Sequence, residues 1–211
     1  MISLIKGKKP TILETNAVTW TQDYLTAQTG GGTIPSSIRY RYRHADIKVG
    51  LIEEAYGKCV YCERKVPFGE TDHFLPISHR PDLIVEWDNL VLSCKECNMY
   101  KRDYYDVSEP LLNPFQDDPC QYLTFYGPMI LSHVGNQTGF RTIEQLQLSR
   151  MELFERRKER LELLQGLLEQ WNSLPEGSTK NIAKRKIIEE AENDKEFSAS
   201  TKAFLYQSMG W

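Results

Sequence analysis

The sequence lacks any apolar run approaching the roughly 20 residues that a membrane-spanning helix needs. Its first residues, MISLIKGKKPTILETN, contain neither the apolar stretch nor the small-residue cleavage site of a secretory signal. We therefore expect no membrane association and a cytoplasmic location. In that reducing compartment, clustered cysteines bind metal more often than they form disulfides.

An excess of positive charge is also absent. The 26 Lys and Arg residues stand against 29 Asp and Glu residues, which gives a formal net charge of −3 for 211 residues. Contacts from Lys and Arg to phosphates dominate the affinity of proteins for nucleic acid. A protein of this composition that acts on nucleic acid needs a local basic face, or a partner that helps to hold the substrate.

Cysteine is scarce, yet four of the five cysteines form two matched pairs. Cys59-x-x-Cys62 and Cys94-x-x-Cys97 supply the four thiolates of a tetrahedral structural zinc site. The 31 residues between the pairs exceed the roughly 15–20 of a simple zinc ribbon. We expect one structural Zn²⁺ per chain, with a sizeable insert between its two halves. Four unconnected cysteines or a redox pair are the alternatives, and Cys120 is expected to be an inert thiol.

The insert carries an ordered set of polar residues: Asp72-His73, then Asn89, then Asn98 directly after the last cysteine and Lys101 three residues later. With its motifs DHFLP, WDNL and CKECNMYK, the stretch Cys59 to Lys101 resembles the HNH endonuclease family. The third letter of the family name, often His, is Asn98 here. The resemblance implies a hairpin and a helix that hold one divalent metal ion.

These residue types suit the hydrolysis of a phosphodiester. Mg²⁺ or Mn²⁺ takes oxygen ligands and Mg²⁺ keeps several waters, so one carboxylate and one amide oxygen suffice, which Asp72 and Asn98 provide. His73 can take a proton from the attacking water because the pKa of imidazole lies close to neutral pH. The resemblance gives Asn89 another role, bracing the loop that orients the imidazole.

Candidate substrate contacts flank this set. We expect Lys101, with Arg102 beside it, to meet the charge that develops on the phosphate. The stretch SSIRYRYRHADIK alternates arginine with tyrosine, so on a strand the arginines would share one face and follow phosphates, or form an exposed edge. His79 is either a substrate contact or a loop histidine. The candidate substrate-binding residues are Arg39, Arg41, Arg43, His79 and Arg102.

Hydrophobic spacing predicts the surrounding elements. Asp72-His73 is placed on the returning strand of a hairpin whose turn is Pro67-Phe68-Gly69. Capping boxes that mark helix starts stand at Thr142 and Ser149. Basic residues at the start of the long helix after Ser149 form either a partner contact or a salt-bridged solvent face. Helices are predicted over residues 17–28, 45–58, 96–103, 149–173, 181–193 and 198–208.

The predicted fold class is α+β: a ββα-metal nuclease core framed by a four-cysteine zinc site, with a mainly α-helical C-terminal region. Residues 1–35 are predicted to be an N-terminal segment with a glycine-rich linker. Residues 36–108 are predicted to form the zinc-framed core, and residues 109–211 the mostly helical remainder.

The similarity extends beyond the zinc frame. YRHADIKVGLIEEAYGKCVYCE, LLNPFQDDPCQYLTF, TIEQLQLSRMELFERR and LIKGKKP resemble the HNH nuclease subunit of Septu-type antiphage systems, some of which are attached to retrons. Relatives often carry Glu at the position of Asp72, and either side chain binds Mg²⁺. The helices after about Ser173 match less clearly.

The resemblance implies an ATPase partner of the ABC/SMC kind. We expect a nucleic-acid substrate, DNA more than RNA such as tRNA, but the sequence itself does not distinguish the two. The residues alone leave two other hypotheses open. One is a non-catalytic zinc-ribbon module that binds nucleic acid or protein. The other is a RING-like adaptor, which needs eight ligands for two zinc ions.

Overall fold

The computed structural model describes residues 1–210. Short 3₁₀ helices lie at Arg41–Arg43, Pro81–Leu83, Trp87–Asn89 and Pro119–Gln121. The α-helices are α1 (Thr11–Thr29), α2 (Ser36–Arg39), α3 (Ala45–Glu54), α4 (Lys95–Lys101), α5 (Gln137–Gln145), α6 (Met151–Ser173), α7 (Ser178–Glu189) and α8 (Ser198–Met209). The strands are β1 (Glu70–His73), β2 (Leu90–Ser93), β3 (Leu123–Tyr126) and β4 (Met129–Ser132).

The predicted α+β class is confirmed, and its ββα unit consists of β1, β2 and α4. β1 and β2 are antiparallel, with Asp72 opposite Val91 and His73 opposite Leu90. β2 is buried along its whole length, so the strand that carries Asp72 and His73 is paired to the centre of the core. α4 follows β2 directly and packs on β1.

The strand partner predicted for β1 is wrong. Pro67-Phe68-Gly69 does form a turn before β1, but the residues ahead of that turn form a cysteine knuckle with a single bridge, Lys58 to Lys65. The true partner, β2, begins well after β1 ends, beyond two short 3₁₀ helices. The two arms of the knuckle pair with each other at that bridge, and β1 pairs with β2.

The arginine-rich stretch is not a strand, contrary to the prediction. Pro35 begins a helical turn, and its carbonyl accepts the N–H groups of Ile38 and Arg39. The stretch becomes α2 and then the 3₁₀ helix Arg41–Arg43. Its backbone hydrogen bonds close locally, which removes the need for a neighbouring strand. The three arginines therefore do not share a face.

Helix boundaries shift where capping or tertiary contacts override the local signal. α3 ends at Glu54, because the chain turns left-handed at Tyr56 and at Gly57, the residue predicted to stop it. Thr142 does not cap a helix: it is buried inside α5, and its hydroxyl accepts the Leu112 N–H. α6 likewise starts without a side-chain cap from Ser149.

One main hydrophobic core draws side chains from all three predicted segments, among them Leu13, Leu92 and Leu153. A smaller apolar cluster holds the C-terminal helices together, and it consists of Leu168, Ile187, Ala191 and Leu205. No described helix is long and apolar enough to cross a membrane.

Candidate active site and zinc centre

The two cysteine pairs meet at one buried point. Their four Sγ atoms all lie within 4.8 Å of one another, and those of Cys62 and Cys94 are 3.9 Å apart. Four sulfurs bound to one tetrahedral Zn²⁺ at about 2.3 Å stand about 3.8 Å apart. The set therefore fits the predicted structural zinc. Within residues 1–210 it forms a single four-cysteine cluster, which is half of what a RING-like adaptor requires.

A backbone N–H group and a positively charged side chain contact the sulfurs of this centre. The Cys97 N–H donates to Cys94 Sγ at 3.3 Å, so Cys94 also caps the start of α4. The guanidinium of Arg150 lies 3.7 Å from Cys97 Sγ. Four thiolates carry two more charges than one Zn²⁺ neutralises, and this arginine offsets part of the excess. Arg150 therefore faces the zinc centre instead of solvent or a partner.

His73 lies at the end of β1 and is only 7% exposed. Its Nε2 is 2.8 Å from the Ile84 carbonyl, and the Tyr42 ring packs edge-on at 4.6 Å between centroids. Because a carbonyl can only accept, Nε2 carries the hydrogen and Nδ1 keeps its lone pair. Burial lowers the pKa of His73 to about 4, so the imidazole is neutral at pH 7. This is the protonation state that a general base requires.

Asp72, the residue before His73 on β1, is buried and is held by two donors. The Tyr61 hydroxyl donates to Oδ2 at 2.8 Å, and Lys101 Nζ lies 3.2 Å from Oδ1. Burial raises the pKa of this carboxyl, and the charge of Lys101 opposes that effect. Each carboxylate oxygen retains one lone pair, which can bind a metal ion.

Lys101 does not occupy its predicted place at the phosphate. Its side chain is 1% exposed, and Nζ donates to the His73 carbonyl at 2.8 Å as well as pairing with Asp72. On α4 it lies one turn after Asn98, as the prediction required, but it points under β1. Lys101 thus fixes the strand that carries the site.

Asn89 makes the contacts that bracing requires. Its Oδ1 accepts the Leu75 N–H at 2.7 Å and its Nδ2 donates to the Leu75 carbonyl at 2.9 Å. Its own carbonyl accepts the Phe74 N–H at 2.8 Å. Three hydrogen bonds therefore tie the two residues after His73 to the start of β2, and the backbone that aims the imidazole is fixed.

Asn98 enters the same region from α4. Its Nδ2 donates to Glu70 Oε2 at 2.7 Å, which leaves the amide oxygen as the free acceptor. Asp72, His73 and Asn98 all line one cavity of about 490 Å³. A carboxylate and an amide oxygen are the hard ligands that Mg²⁺ or Mn²⁺ prefers, so the residue types at this cavity fit the predicted catalytic ion.

Sequence reasoning missed two charged residues of this cavity, Glu70 and Lys48. Glu70 precedes Asp72 by two positions, and the period-two alternation of a strand puts both on one side of β1. The two-residue spacing of Glu70 and Asp72 could therefore have identified Glu70 from the sequence once β1 was located. Lys48 comes from α3, and the Gly69 carbonyl accepts a hydrogen bond from its ammonium group. Nothing local to Lys48 indicates that contact.

Among the candidate substrate-binding arginines, Arg43 lines the cavity. Its guanidinium lies 4.5 Å from the centre of the Tyr40 ring, and it stays exposed. Arg39 is also exposed, but it is not among the lining residues. Arg41 is bound at 2.6 Å to the carboxylate of Asp23 on α1. Of these three arginines, Arg43 is the one that lines the cavity.

The other two candidates lie elsewhere. His79 is exposed and stacks on Tyr105, with ring centroids 5.0 Å apart. Arg102 follows α4 in a left-handed conformation and borders a separate depression together with Arg141. The proximity of Arg102 to Asn98 in sequence was misleading, because the chain reverses at the helix end.

Comparisons with known proteins agree with this geometry. Residues 59–103 match the HNH endonuclease family, and this interval contains both cysteine pairs and Asp72, His73 and Asn98. A Septu protein PtuB from Bacillus thuringiensis is 30% identical over 180 residues, covering 77% of this chain and 69% of the relative. A second, from Bacillus mycoides, is 29% identical over 150 residues, covering 55% of this chain and 51% of the relative.

A third match is short. Protein ea31 of Escherichia phage lambda is 48% identical over 42 residues, 20% of this chain and 14% of the phage protein. The PtuB matches extend well beyond the zinc frame, as the wider resemblance predicted. The chain is therefore a member of the HNH endonuclease family of nucleases, among the PtuB-like proteins of Septu systems.

Proposed function

We propose that this protein is a metal-dependent endonuclease that hydrolyses phosphodiester bonds as the effector of an antiphage defence system. One observation carries the proposal: a neutral imidazole with a free Nδ1 shares a cavity with one carboxylate and one amide oxygen. Family membership supports the reaction class, and the similarity to Septu proteins supports the defence role.

In the proposed mechanism His73 Nδ1 takes the proton of the attacking water. The Ile84 carbonyl and the Tyr42 ring hold the imidazole in place, so little reorganisation accompanies proton transfer. Asp72 and Asn98 would hold a divalent ion, whose chemistry is to neutralise charge on the phosphate and to assist the departing oxygen.

Arg43 and Lys48 are the proposed phosphate contacts. Both line the catalytic cavity, where positive charge offsets that of an incoming backbone. The protein as a whole carries a net charge of −3, so these two cations supply only local attraction. We therefore expect weak binding of isolated nucleic acid, and a partner that presents the substrate.

The proposed partner is an ATPase of the ABC/SMC kind, encoded in the same defence system, and the proposed substrate is DNA in preference to RNA. The relationship to Septu proteins supports the partner. A cavity that meets the phosphate does not read the sugar, so the proposed preference for DNA is tested by comparing the cleavage of DNA and RNA.

The test compares wild type with His73→Ala on plasmid DNA and on total tRNA, with Mg²⁺ or Mn²⁺. We expect the variant to lose roughly 10²- to 10⁴-fold in rate, the usual contribution of a general base. His133→Ala is the matched control, because His133 lies outside the catalytic cavity. The assay is repeated with the partner ATPase added.

A second candidate, a zinc-ribbon module that binds without cutting, is favoured by one observation. Both oxygens of Asp72 already accept protein donors, from Tyr61 and Lys101, as in a purely structural network. On that hypothesis wild type cuts neither nucleic acid, with or without the ATPase, and His73→Ala retains full biological function. Cutting by wild type and not by His73→Ala rejects the module.

A further inference from the structure

The turn that precedes β1 presents an aromatic ring to solvent. Phe68 is 95% exposed, in a chain whose core holds many of its other large apolar side chains. Single exposed apolar residues are common on protein surfaces, so exposure by itself assigns no role. What singles out Phe68 is the set of contacts at the neighbouring Gly69 and the position of the turn beside the catalytic cavity.

The turn is fixed on both sides of the ring. The Gly69 N–H donates to the Val66 carbonyl at 3.1 Å, and the Gly69 carbonyl accepts from Lys48 on α3. A Cβ added at Gly69 would lie 2.8 Å from the Val66 side chain and 2.9 Å from that of Leu92. The backbone at Gly69 is therefore packed closely against the side chains of Val66 and Leu92, the second of which lies on β2.

The turn also forms the rim of the catalytic cavity. Gly69 and Glu70 line that cavity, and Phe68 is the residue before them. His73 follows Phe68 by five residues, so at about 3.4 Å per residue their backbones lie at most about 17 Å apart. A base bound at Phe68 would therefore lie within a few nucleotides of a phosphate held at His73.

We propose, building on the proposed nuclease function, that Phe68 is a stacking platform for an unpaired nucleobase near the phosphate that is cut. Aromatic rings beside cationic tracks bind single-stranded nucleic acid by stacking, and Arg43 and Lys48 supply the cations here. Every base has a π-face, so such a platform tolerates any sequence. It selects substrates with accessible bases: single strands, loops, bulges and frayed ends.

The test measures binding by the full chain in a His73→Ala background, which prevents cutting. The probe is a single-stranded oligonucleotide that contains 2-aminopurine, whose fluorescence reports stacking. We expect Phe68→Ala to weaken binding by about tenfold or more and to remove the fluorescence change. Phe68→Leu, similar in size and hydrophobicity but not aromatic, should behave like Phe68→Ala, and Phe68→Trp should restore both signals.

Salt dependence separates stacking from charge. Phe68→Ala should leave the slope of log affinity against log salt unchanged, because a ring releases no counterions. Arg43→Ala should reduce the slope by about one phosphate contact. Fully duplex DNA of the same sequence should bind the Phe68 variants and the parent equally.

The inference is overturned if Phe68→Ala or Phe68→Leu binds as the parent does, or if the parent gives no stacking signal. Unchanged nucleic-acid binding would leave the turn as a contact for a protein partner instead. Failure of the proposed nuclease function gives a different result from failure of the stacking proposal: the wild-type protein would then cut no nucleic acid, even with its ATPase present. If wild type cuts and the Phe68 variants bind equally, stacking alone is rejected.

Discussion

The zinc centre and the catalytic cavity lie in the same stretch of chain, yet they are built in opposite ways. The zinc centre has four identical ligands, all buried, and a guanidinium that offsets surplus charge. The cavity has two unlike proposed ligands, Asp72 from the strand and Asn98 from the helix, and each is hydrogen-bonded to a different neighbour. Closed zinc sites stabilise folds, whereas open sites leave coordination positions for substrate and water.

This contrast indicates which substitutions should unfold the protein and which should only slow it. Removing a sulfur takes away a ligand that has no function except structure. Removing the side chain of a cavity residue leaves all four sulfurs in place. Substitutions at the zinc centre should therefore lower the stability of the protein, and substitutions at the cavity should mainly lower its activity.

The strongest effect should come from Cys94→Ser. Serine is itself a favoured helix cap, so the start of α4 keeps a hydrogen-bond acceptor while the zinc loses one sulfur. Structural zinc contributes on the order of 10–16 kcal/mol in small domains, which is comparable to the whole stability of a typical protein. We expect the core to lose cooperative unfolding, measured by circular dichroism together with zinc content.

Cys120→Ser is the control for that substitution, because Cys120 is a free, exposed cysteine outside the cluster. It should retain one zinc per chain and change the free energy of unfolding by no more than about 0.5 kcal/mol. A Cys94→Ser protein that is folded, zinc-free and active would show that the frame does not depend on the metal.

The zinc centre was also the part that sequence could predict best. The two-residue spacing within each pair constrains geometry locally, and two matched pairs in one chain are typical of a zinc site. Asp72-His73 and Asn98 were predicted through the motifs around them. Their placement on a strand and on a following helix agrees with the structure.

What could not be predicted depended on contacts between distant segments. Lys48 reaches the cavity from α3, and Glu70 matters because Asn98 arrives beside it from α4. The alternation of arginine and tyrosine before Ala45 imitated a strand, but Pro35 started a helical turn instead. Burial of Lys101 was equally invisible, since a helix face does not reveal what packs against it.

An intermediate effect is expected at Glu70, which orients an inferred metal ligand without being one. Glu70→Ala should lower activity by about 10- to 100-fold, the usual effect of removing such a supporting contact. Glu70→Gln should recover most of the loss, because its amide oxygen can still accept from Asn98 Nδ2. Mn²⁺ affinity measured by calorimetry should follow the same order, with zinc content unchanged.

Equal losses in Glu70→Ala and Glu70→Gln would contradict a positioning role. That result would mean that the negative charge itself is required, and Glu70 would then act on the metal directly.

The weakest effects distinguish the two arginines that sequence treated alike. Arg43 lines the cavity, whereas Arg102 borders a separate depression. Arg43→Ala should therefore slow cleavage and weaken the salt dependence of the cleavage rate. Arg102→Ala should change the cleavage rate by less than about twofold. Cleavage rates measured across a series of salt concentrations test both variants together. A large loss in Arg102→Ala would mean that the substrate continues past α4 into that depression. The catalytic cavity and the depression beside Arg102 would then belong to one continuous nucleic-acid binding surface, which would extend beyond the cavity in that direction.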